Sequence, residues 1–171
     1  MSHSTKKLGM MFIAGACTVG LLLLTLAFDQ ILVQQNNPNQ SVSTVQGGGF
    51  EEIVLQRNRM GHYVFDGEIN HHKVTFLVDT GATTTAIPGN LQRALRLESG
   101  PATSVSTANG NARAHLTRLD QLRLGDIELY DVNASIIQGM DGDEVLLGMN
   151  VLKNFELVQR GEQLIIRRYS Q

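Results

Sequence analysis

The sequence predicts an all-β domain over residues 50–171, preceded by one apolar helix. Residues 8–28 contain no charged residue, whereas the chain beyond residue 50 is divided into short apolar runs separated by glycine and asparagine. Several of these runs alternate apolar and polar residues, which is the period of a β-strand. No part of the sequence alternates strands with helices in the manner of a parallel α/β domain.

The apolar segment 8–28 predicts a membrane anchor. At about 1.5 Å per residue, a helix of this length is roughly 30 Å long, which matches the core of a bilayer. Lys6 and Lys7 precede the segment and Asp29 follows it, so the positive-inside rule places the N-terminus in the cytoplasm and the domain on the other side. The alternative is a cleaved signal peptide, whose apolar part is usually shorter, about 7–15 residues. The length favours an uncleaved anchor.

Residues 29–49 predict a flexible polar linker. They are rich in glutamine, asparagine and glycine, and their apolar residues show no regular spacing. This is typical of segments that have few apolar side chains to bury. The sequence therefore divides into a cytoplasmic stub and anchor helix (1–28), a linker (29–49) and a folded domain (50–171).

Composition excludes several kinds of partner. The formal net charge is −2 and no basic cluster follows the anchor, which argues against nucleic acid. His71 and His72 are adjacent, so on an extended chain their side chains point to opposite sides and cannot easily bind one metal ion. Cys17 is the only cysteine, so an intrachain disulfide is impossible. We expect no metal and no cofactor.

The domain is predicted to contain ten strands and two short helices. Tight turns are indicated at residues 70–72 and 109–111, the second being Asn-Gly-Asn between two extended runs. The predicted strands are 51–57, 61–69, 73–79, 83–87, 101–108, 112–122, 127–137, 145–147, 156–159 and 164–169, and the predicted helices are 90–97 and 149–155.

The predicted strand ending at Asp79 carries the candidate chemistry. Residues 74–78 form a short apolar run typical of a strand buried on both faces, and a carboxylate at its end is costly unless it is satisfied or used. The hydroxyl of Thr80 can donate or accept a hydrogen bond beside the acid. Gly81 lets another backbone segment approach closely, and the small side chain of Ala82 leaves space next to the carboxylate. The sequence therefore predicts that these residues surround Asp79 as a reactive acid.

Two motifs give this sequence a family resemblance. Residues 76–82 read Phe-Leu-Val-Asp-Thr-Gly-Ala and residues 146–150 read Leu-Leu-Gly-Met-Asn. Together they resemble the retropepsin-like aspartic proteases of clan AA, especially the membrane-anchored bacterial ones. The resemblance covers about residues 51–171 and implies a closed, mostly antiparallel β-barrel with one or two short helices.

The resemblance implies an aspartic endopeptidase that works as a homodimer. The chain has a single Asp-Thr-Gly, so Asp79 would face the Asp79 of a second copy. Two carboxylates about 3 Å apart share one proton, and the pair can activate a water against the scissile carbonyl of a polypeptide substrate. Thr80 would brace the two loops across the dimer, and Gly81 would place its backbone N–H near the carboxylates.

The resemblance also assigns the substrate groove and the dimer sheet. Ala82 would line the groove, and the hairpin tip at Ala108, Asn109, Gly110 and Asn111 would be the flap that covers an extended peptide. Segments 53–56 and 164–167 would interleave with those of the second copy. The bacterial relatives place such a protein in the inner membrane, single-pass, with the protease domain in the periplasm.

The sequence is also compatible with other functions. A dimer of the same fold could serve as a membrane-tethered binding or scaffold module in which Asp79 and Thr80 form a structural pair, because an acid motif indicates catalysis only probabilistically. Phosphorylating ATPases and actin-like kinases share fragments of the Asp-Thr-Gly pattern, but both need far larger chains. Exposure of residues 34–49 suggests self-cleavage there.

Overall fold

The computed structural model describes residues 2–107 and 110–169. It is mostly β, with 48% of residues in strands and 22% in helices, as predicted. The chain divides into two compact units, Met1–Gln35 and Asn36–Gln171.

The first unit consists of a single long helix. Helix α1 spans Ser2–Asn36, so it continues well past the predicted end at residue 28. Its part Gly9–Asn36 is long and apolar enough to cross a membrane, with a mean hydropathy of 2.3 in its most apolar window. By length and composition alone, this helix fits a membrane span or a signal sequence.

The second unit contains the predicted strands with small shifts at their ends. A short 3₁₀ helix spans Gly89–Leu91 and helix α2 spans Met149–Leu152. The strands are β1 Thr44–Gly47, β2 Phe50–Gln56, β3 Val64–Ile69, β4 His72–Val78, β5 Thr85–Pro88, β6 Ala102–Thr107, β7 Gly110–Leu124, β8 Ile127–Ile137, β9 Glu144–Leu147, β10 Glu156–Arg160 and β11 Gln163–Tyr169.

The larger sheet closes on itself. Its strand order is β3-β4-β9-β5-β8-β7-β6, and β3 also pairs with β7, so six strands form a ring with β6 attached to β7. An ion pair between Arg123 and Glu68 lies at this closure. Most pairs are antiparallel, but β4 runs parallel to β9 and β5 runs parallel to β8. Closure leaves few free edges.

The smaller sheet corrects one expectation. Its order is β1-β2-β11-β10, and β2 pairs with β11 of the same chain, with Ile53 opposite Ile166 and Leu55 opposite Leu164. The expectation that segments 53–56 and 164–167 interleave with a second copy is wrong, because both edges of β2 and of β11 are already hydrogen-bonded within one chain.

One large buried cluster joins the two sheets. Fully buried side chains from β2, β3, β4, β7, β8, β9, α2 and β11 form one contiguous cluster. Phe65 and Phe76 face each other inside it with ring centroids 5.4 Å apart. In β4, Val74 and Phe76 are buried whereas Thr75 and Leu77 are half-buried, so this strand buries mainly one face and not the two faces that its apolar run predicted.

The segment after α1 differs from the predicted flexible linker. Residues 37–41 form a strap along the end of β2 and the start of β3, and β1 follows within the smaller sheet. Asn37 and Asn39 are both buried. Asn39 Nδ2 donates to Gln56 O (2.9 Å) and Val64 O (2.7 Å), and its Oδ1 accepts from Gln56 N–H (2.7 Å). The asparagines satisfy backbone groups that would otherwise lack partners.

The predicted helix over residues 90–97 is mostly a set of turns. Only Gly89–Leu91 is helical, as 3₁₀, and Arg96 has a φ of 55°, a left-handed conformation that a continuing helix does not permit. Leu95 and Leu97 are nonetheless buried, as their predicted inner face requires.

Candidate active site

Asp79 lies directly after β4, at the point where a buried strand reaches a cleft. Its backbone N–H donates to Leu147 O of the neighbouring parallel strand β9 (3.2 Å), and its carbonyl accepts from Ala82 N–H (3.3 Å). Its side chain is half-buried, and Gly81 N–H donates to Asp79 Oδ1 (2.8 Å). Two backbone hydrogen bonds therefore hold the main chain of Asp79, and one bond from Gly81 N–H holds its carboxylate, which lines the cleft.

The second motif braces the loop that follows Asp79. Met149 N–H donates to Ala82 O (2.7 Å) and Asn150 N–H donates to Thr83 O (3.1 Å). A Cβ at Gly148 would lie 2.6 Å from the Thr84 carbonyl carbon, so this position has room for no side chain. The glycine allows the two loops to touch, and this contact places the loop carrying Asp79.

The side chain of Asn150 adds three hydrogen bonds to the contact between the two loops. Its Oδ1 accepts from Thr85 N–H (2.8 Å) and from Thr85 Oγ1 (3.1 Å), and its Nδ2 donates to Asn133 O (2.7 Å). Thr85 is completely buried. One amide side chain thus joins α2, β5 and β8 beside the candidate acid.

The cleft in front of Asp79 has a volume of about 880 Å³, which is in the range of ligand sites. The lining is mostly small or apolar, with two acidic residues. The lining residues are Asp79, Gly81, Ala82, Thr83, Thr84, Ala86, Val105, Gly110, Asn111, Ala112, Ser135, Ile137, Gln138, Gly139, Met140, Asp141 and Leu146.

The hairpin of β6 and β7 forms one side of the cleft. The register pairs Thr107 with Gly110 and Ser106 with Asn111, so Gly110 and Asn111, which the sequence assigned to the turn, belong to β7. Gly110 has a φ of 107°, a conformation that glycine adopts without strain. Ala108 and Asn109, predicted flap residues, lie outside the described residues.

The cleft brings together most of the predicted site residues. Asp79, Gly81, Ala82, Gly110 and Asn111 all line it. Thr80 is exposed and does not line it. Among residues 2–107 and 110–169, no three His, Cys, Asp or Glu side chains are grouped as a metal site.

Sequence reasoning missed the wall formed by the end of β8 and the loop after it. Ser135, Ile137 and Met140 face the cleft because β8 runs parallel beside β5. The available signal was the glycine-rich loop at residues 139–142, which was predicted only as a connection.

A single chain presents one carboxylate of the Asp-Thr-Gly type to this cleft. The described lining contains one further acid, Asp141, and no lysine, arginine or histidine. A lone carboxylate can accept a proton, but hydrolysis of an amide by an acid pair needs a second, protonated carboxyl to donate to the carbonyl oxygen.

Comparison with known proteins agrees with this geometry. Residues 65–154, which run from β3 to just beyond α2, match the family described as "gag-polyprotein putative aspartyl protease". Among solved structures, a retropepsin-like aspartic protease from Rickettsia conorii is 27% identical, with a TM-score of 0.60 over 75% of this chain and 97% of that one.

Two curated relatives carry no described activity. An uncharacterized Sinorhizobium protein is 29% identical over 136 residues, covering 76% of this chain and 58% of its own length. An uncharacterized Rickettsia prowazekii protein is 28% identical over 121 residues, covering 69% and 52%. The chain thus spans about half the length of the curated relatives it matches. The family match covers more than half of the chain, and the protein belongs to the retropepsin-like aspartic protease family.

Proposed function

We propose that this protein is a membrane-anchored, homodimeric aspartic endopeptidase. The observation that carries the proposal is the placement of Asp79, half-buried at the end of β4 with its carboxylate held by Gly81 N–H and opening into a cleft of about 880 Å³. Family membership supports peptide-bond hydrolysis as the reaction.

The proposed mechanism needs two copies of the chain. The Asp79 carboxylates of the two copies share one proton across a two-fold axis. The ionised member takes a proton from a water held between them, and the protonated member donates to the carbonyl oxygen of the scissile bond. Thr80 is exposed next to Asp79, which leaves its hydroxyl available to brace the partner's loop.

The substrate in this proposal is an extended polypeptide that lies beneath the β6–β7 hairpin. Ala82, Gly110 and Asn111 line the cleft, and the tip residues Ala108 and Asn109 complete the flap. Backbone groups of the hairpin would pair with the peptide as an added strand does. Closure would exclude water from the scissile bond.

The proposed location follows from α1 and its flanks. The helix is long and apolar enough to span a bilayer, and Lys6 and Lys7 precede its apolar part. The positive-inside rule then places Asn36–Gln171 on the periplasmic side of a bacterial inner membrane.

The test is Asp79→Asn in the full-length protein in detergent micelles, assayed on an unfolded polypeptide between pH 3 and 7. We expect loss of at least about a thousandfold in kcat, since the shared proton and the base both disappear. Asp120→Asn, the same change at an exposed position on β7, is the control and should retain full activity. Equal hydrolysis by the two variants would show that Asp79 is not the catalytic acid, whereas a folded wild-type protein without activity would favour the scaffold function.

A further inference from the structure

The loop between β8 and β9 carries two of the residues that line the cleft. It spans residues 138–143, and Met140 and Asp141 at its centre belong to the cleft lining. Gly139 and Gly142, with φ angles of 77° and 84°, lie on either side of them. Glycine adopts this left-handed conformation without strain, but it loses the most conformational freedom when it is ordered. The position of Met140 and Asp141 therefore depends on contacts that hold the loop from outside.

Asn90 bonds to this loop from another part of the chain. It lies in the 3₁₀ turn that follows β5, and its Nδ2 donates to Asp143 Oδ1 at 2.6 Å and to Gly142 O at 3.4 Å. A hydrogen bond to a carboxylate is stronger than one between neutral groups. In the part of the chain that the structure describes, no other side chain donates to residues 139–143. One amide thus holds the end of the loop that follows Asp141.

The start of the loop lies against the same turn. A Cβ at Gly89 would be 2.7 Å from Gln138 Oε1, so the Gln138 amide lies directly against the backbone of the turn. Gln138 lines the cleft, whereas Gly89 and Asn90 are not among its lining residues. The turn therefore contacts the loop at both ends without itself reaching the cleft.

The position of the loop affects both an apolar contact and a charge. Met140 packs against a small buried cluster that includes Ala86 and Ile137, both of which line the cleft. Asp141 is exposed beside it and is, apart from Asp79, the only acid among the described lining residues. Because the attraction between two charges weakens with their distance, a displaced loop would weaken the attraction of Asp141 for a cationic side chain.

We propose that Asn90 is a positioning residue for substrate selection. Its bond to Asp143 holds Asp141 where the carboxylate can pair with a lysine or arginine side chain of the polypeptide. The proposal rests on the function proposed above. It adds a substrate class, peptides with a basic residue near the scissile bond, and a residue outside the cleft that sets this preference.

The test measures the ratio of dissociation constants for two peptides that differ only in lysine or glutamine beside a reduced, non-cleavable scissile bond. Both peptides are titrated against the full-length protein in detergent, so the ratio is measured whether or not the protein hydrolyses peptides. Asn90→Ala should lower the preference for lysine by about two- to fivefold, the effect of one screened ion pair, although it removes no charge. In an Asp141→Asn background, Asn90→Ala should change the ratio no further.

An exchange of the two partners tests the bond itself. Asn90→Asp sets two carboxylates against each other and should lower the ratio at least as much as Asn90→Ala does. The double variant Asn90→Asp, Asp143→Asn reverses donor and acceptor and should restore the ratio. Asp143→Asn alone keeps an oxygen that can accept from Asn90, so it should leave the ratio unchanged.

Gln92→Ala is the control for the turn. The Gln92 amide donates to Leu97 O (3.2 Å) and Ser99 Oγ (2.9 Å), both outside the loop, so its removal should leave the ratio unchanged. Hydrogen exchange of residues 139–142, followed by mass spectrometry, should be about tenfold faster in Asn90→Ala than in Gln92→Ala, because the loop opens more readily without its bond.

The outcomes separate this proposal from the proposed function. A wild-type protein with no lysine preference, or a preference that survives Asn90→Ala or falls equally in Gln92→Ala, overturns the positioning role and leaves the proposed protease unaffected. Peptides that bind with the expected preference but are never cleaved in their unmodified form overturn the protease and support the positioning role. A protein that neither binds nor cleaves these peptides overturns both.

Discussion

Asn150 is the side chain that connects the two motifs of the site. It accepts from the backbone and hydroxyl of buried Thr85 and donates to Asn133 O. Asn150→Ala leaves these groups unpaired, so we expect the free energy of unfolding to fall by about 2–3 kcal/mol. We also expect peptide hydrolysis to slow, because the loop after Asp79 loses its brace. Urea denaturation and initial rates measure the two effects.

Asn154→Ala is the matched control. Asn154 is exposed just after α2, and its Nδ2 donates only to carbonyl groups of that helical turn, at 3.4 and 3.1 Å. We expect a change of less than about 1 kcal/mol, as is usual for a surface position. A comparable loss of stability in the two variants would contradict the role given to Asn150.

Asp141 is the acid of the cleft lining from which we predict a preference in substrate charge. It is exposed, and the described lining contains no cationic side chain. Peptides with lysine near the scissile bond should therefore be cleaved faster than the same peptides with glutamine. Asp141→Asn should reduce this preference by about two- to fivefold, the effect of one screened ion pair. Competition between paired peptides measures the ratio.

The control for Asp141 is a neighbouring acid outside the cleft. Asp143 accepts from Asn90 Nδ2 at 2.6 Å and does not line the cleft. Asp143→Asn should leave the lysine-to-glutamine ratio unchanged. A ratio that moves equally in both variants would mean that general electrostatics of the domain, and not contact in the cleft, sets the preference.

The sequence indicated Asp79 as the candidate acid, but it indicated only some of the residues that line the cleft beside it. Asp79, Gly81 and Ala82 are adjacent in the chain, so one motif located them together. Ser135 and Ile137 reach the same cleft only through the parallel pairing of β8 with β5. Apolar periodicity reports local burial and carries no information about which distant strand lies alongside.

The strap at residues 37–41 is the element that sequence pattern misjudged. Asn39 is buried and bonds to the backbone of both β2 and β3. We expect Asn39→Ala to lower the free energy of unfolding by about 3 kcal/mol, because several buried backbone groups lose their partners at once. Thermal or urea denaturation measures this.

Gln40→Ala provides the comparison. Gln40 is exposed, and its amide donates to Asn37 O at 3.3 Å, so the expected change is within about 0.5 kcal/mol. If the two substitutions cost the same, the strap contributes no more than any surface segment. The polar, aperiodic composition that predicted a linker is a poor guide here, since amide side chains can replace backbone partners in an edge pairing.

Strand assignment succeeded where burial alternates along the chain. The hairpin of β3 and β4 turns at Asn70 and His71, both with positive φ, as the predicted turn requires. The 3₁₀ turn at Gly89–Leu91 replaced a predicted helix because apolar spacing over a few residues fits a helix and a series of turns equally well.

The whole molecule shows features that no local pattern contains. The ring closes through β3 and β7, with Ile69 opposite Leu122, and two parallel pairs lie inside a mostly antiparallel sheet. In the smaller sheet, β2 and β11 have both edges paired within one chain, so neither strand is open to a second copy. The family resemblance predicted the closed barrel, but it also implied the interleaved termini that β11 rules out.

Truncation at residue 36 and truncation at residue 50 should affect the stability of the second unit differently. A chain that begins at Asn36 keeps the strap and β1 and should retain the stability of the intact domain, since it corresponds to the second unit. A chain that begins at residue 50 loses both. Gln56 N–H and Asp66 N–H then lose their Asn39 acceptors, and β2 loses a neighbouring strand. We expect its free energy of unfolding to be lower by at least about 3 kcal/mol.

A chain that begins at residue 42 separates the two contributions, because it removes the strap and keeps the pairing of β1 with β2, in which Thr44 lies opposite Ile53. If the strap supplies most of the stability, this chain should unfold at nearly the same urea concentration as the one that begins at residue 50. If β1 supplies it, the chain should resemble the one that begins at Asn36. Equal stability of all three would show that residues 36–49 do not hold the domain together, in contradiction to the burial of Asn37 and Asn39.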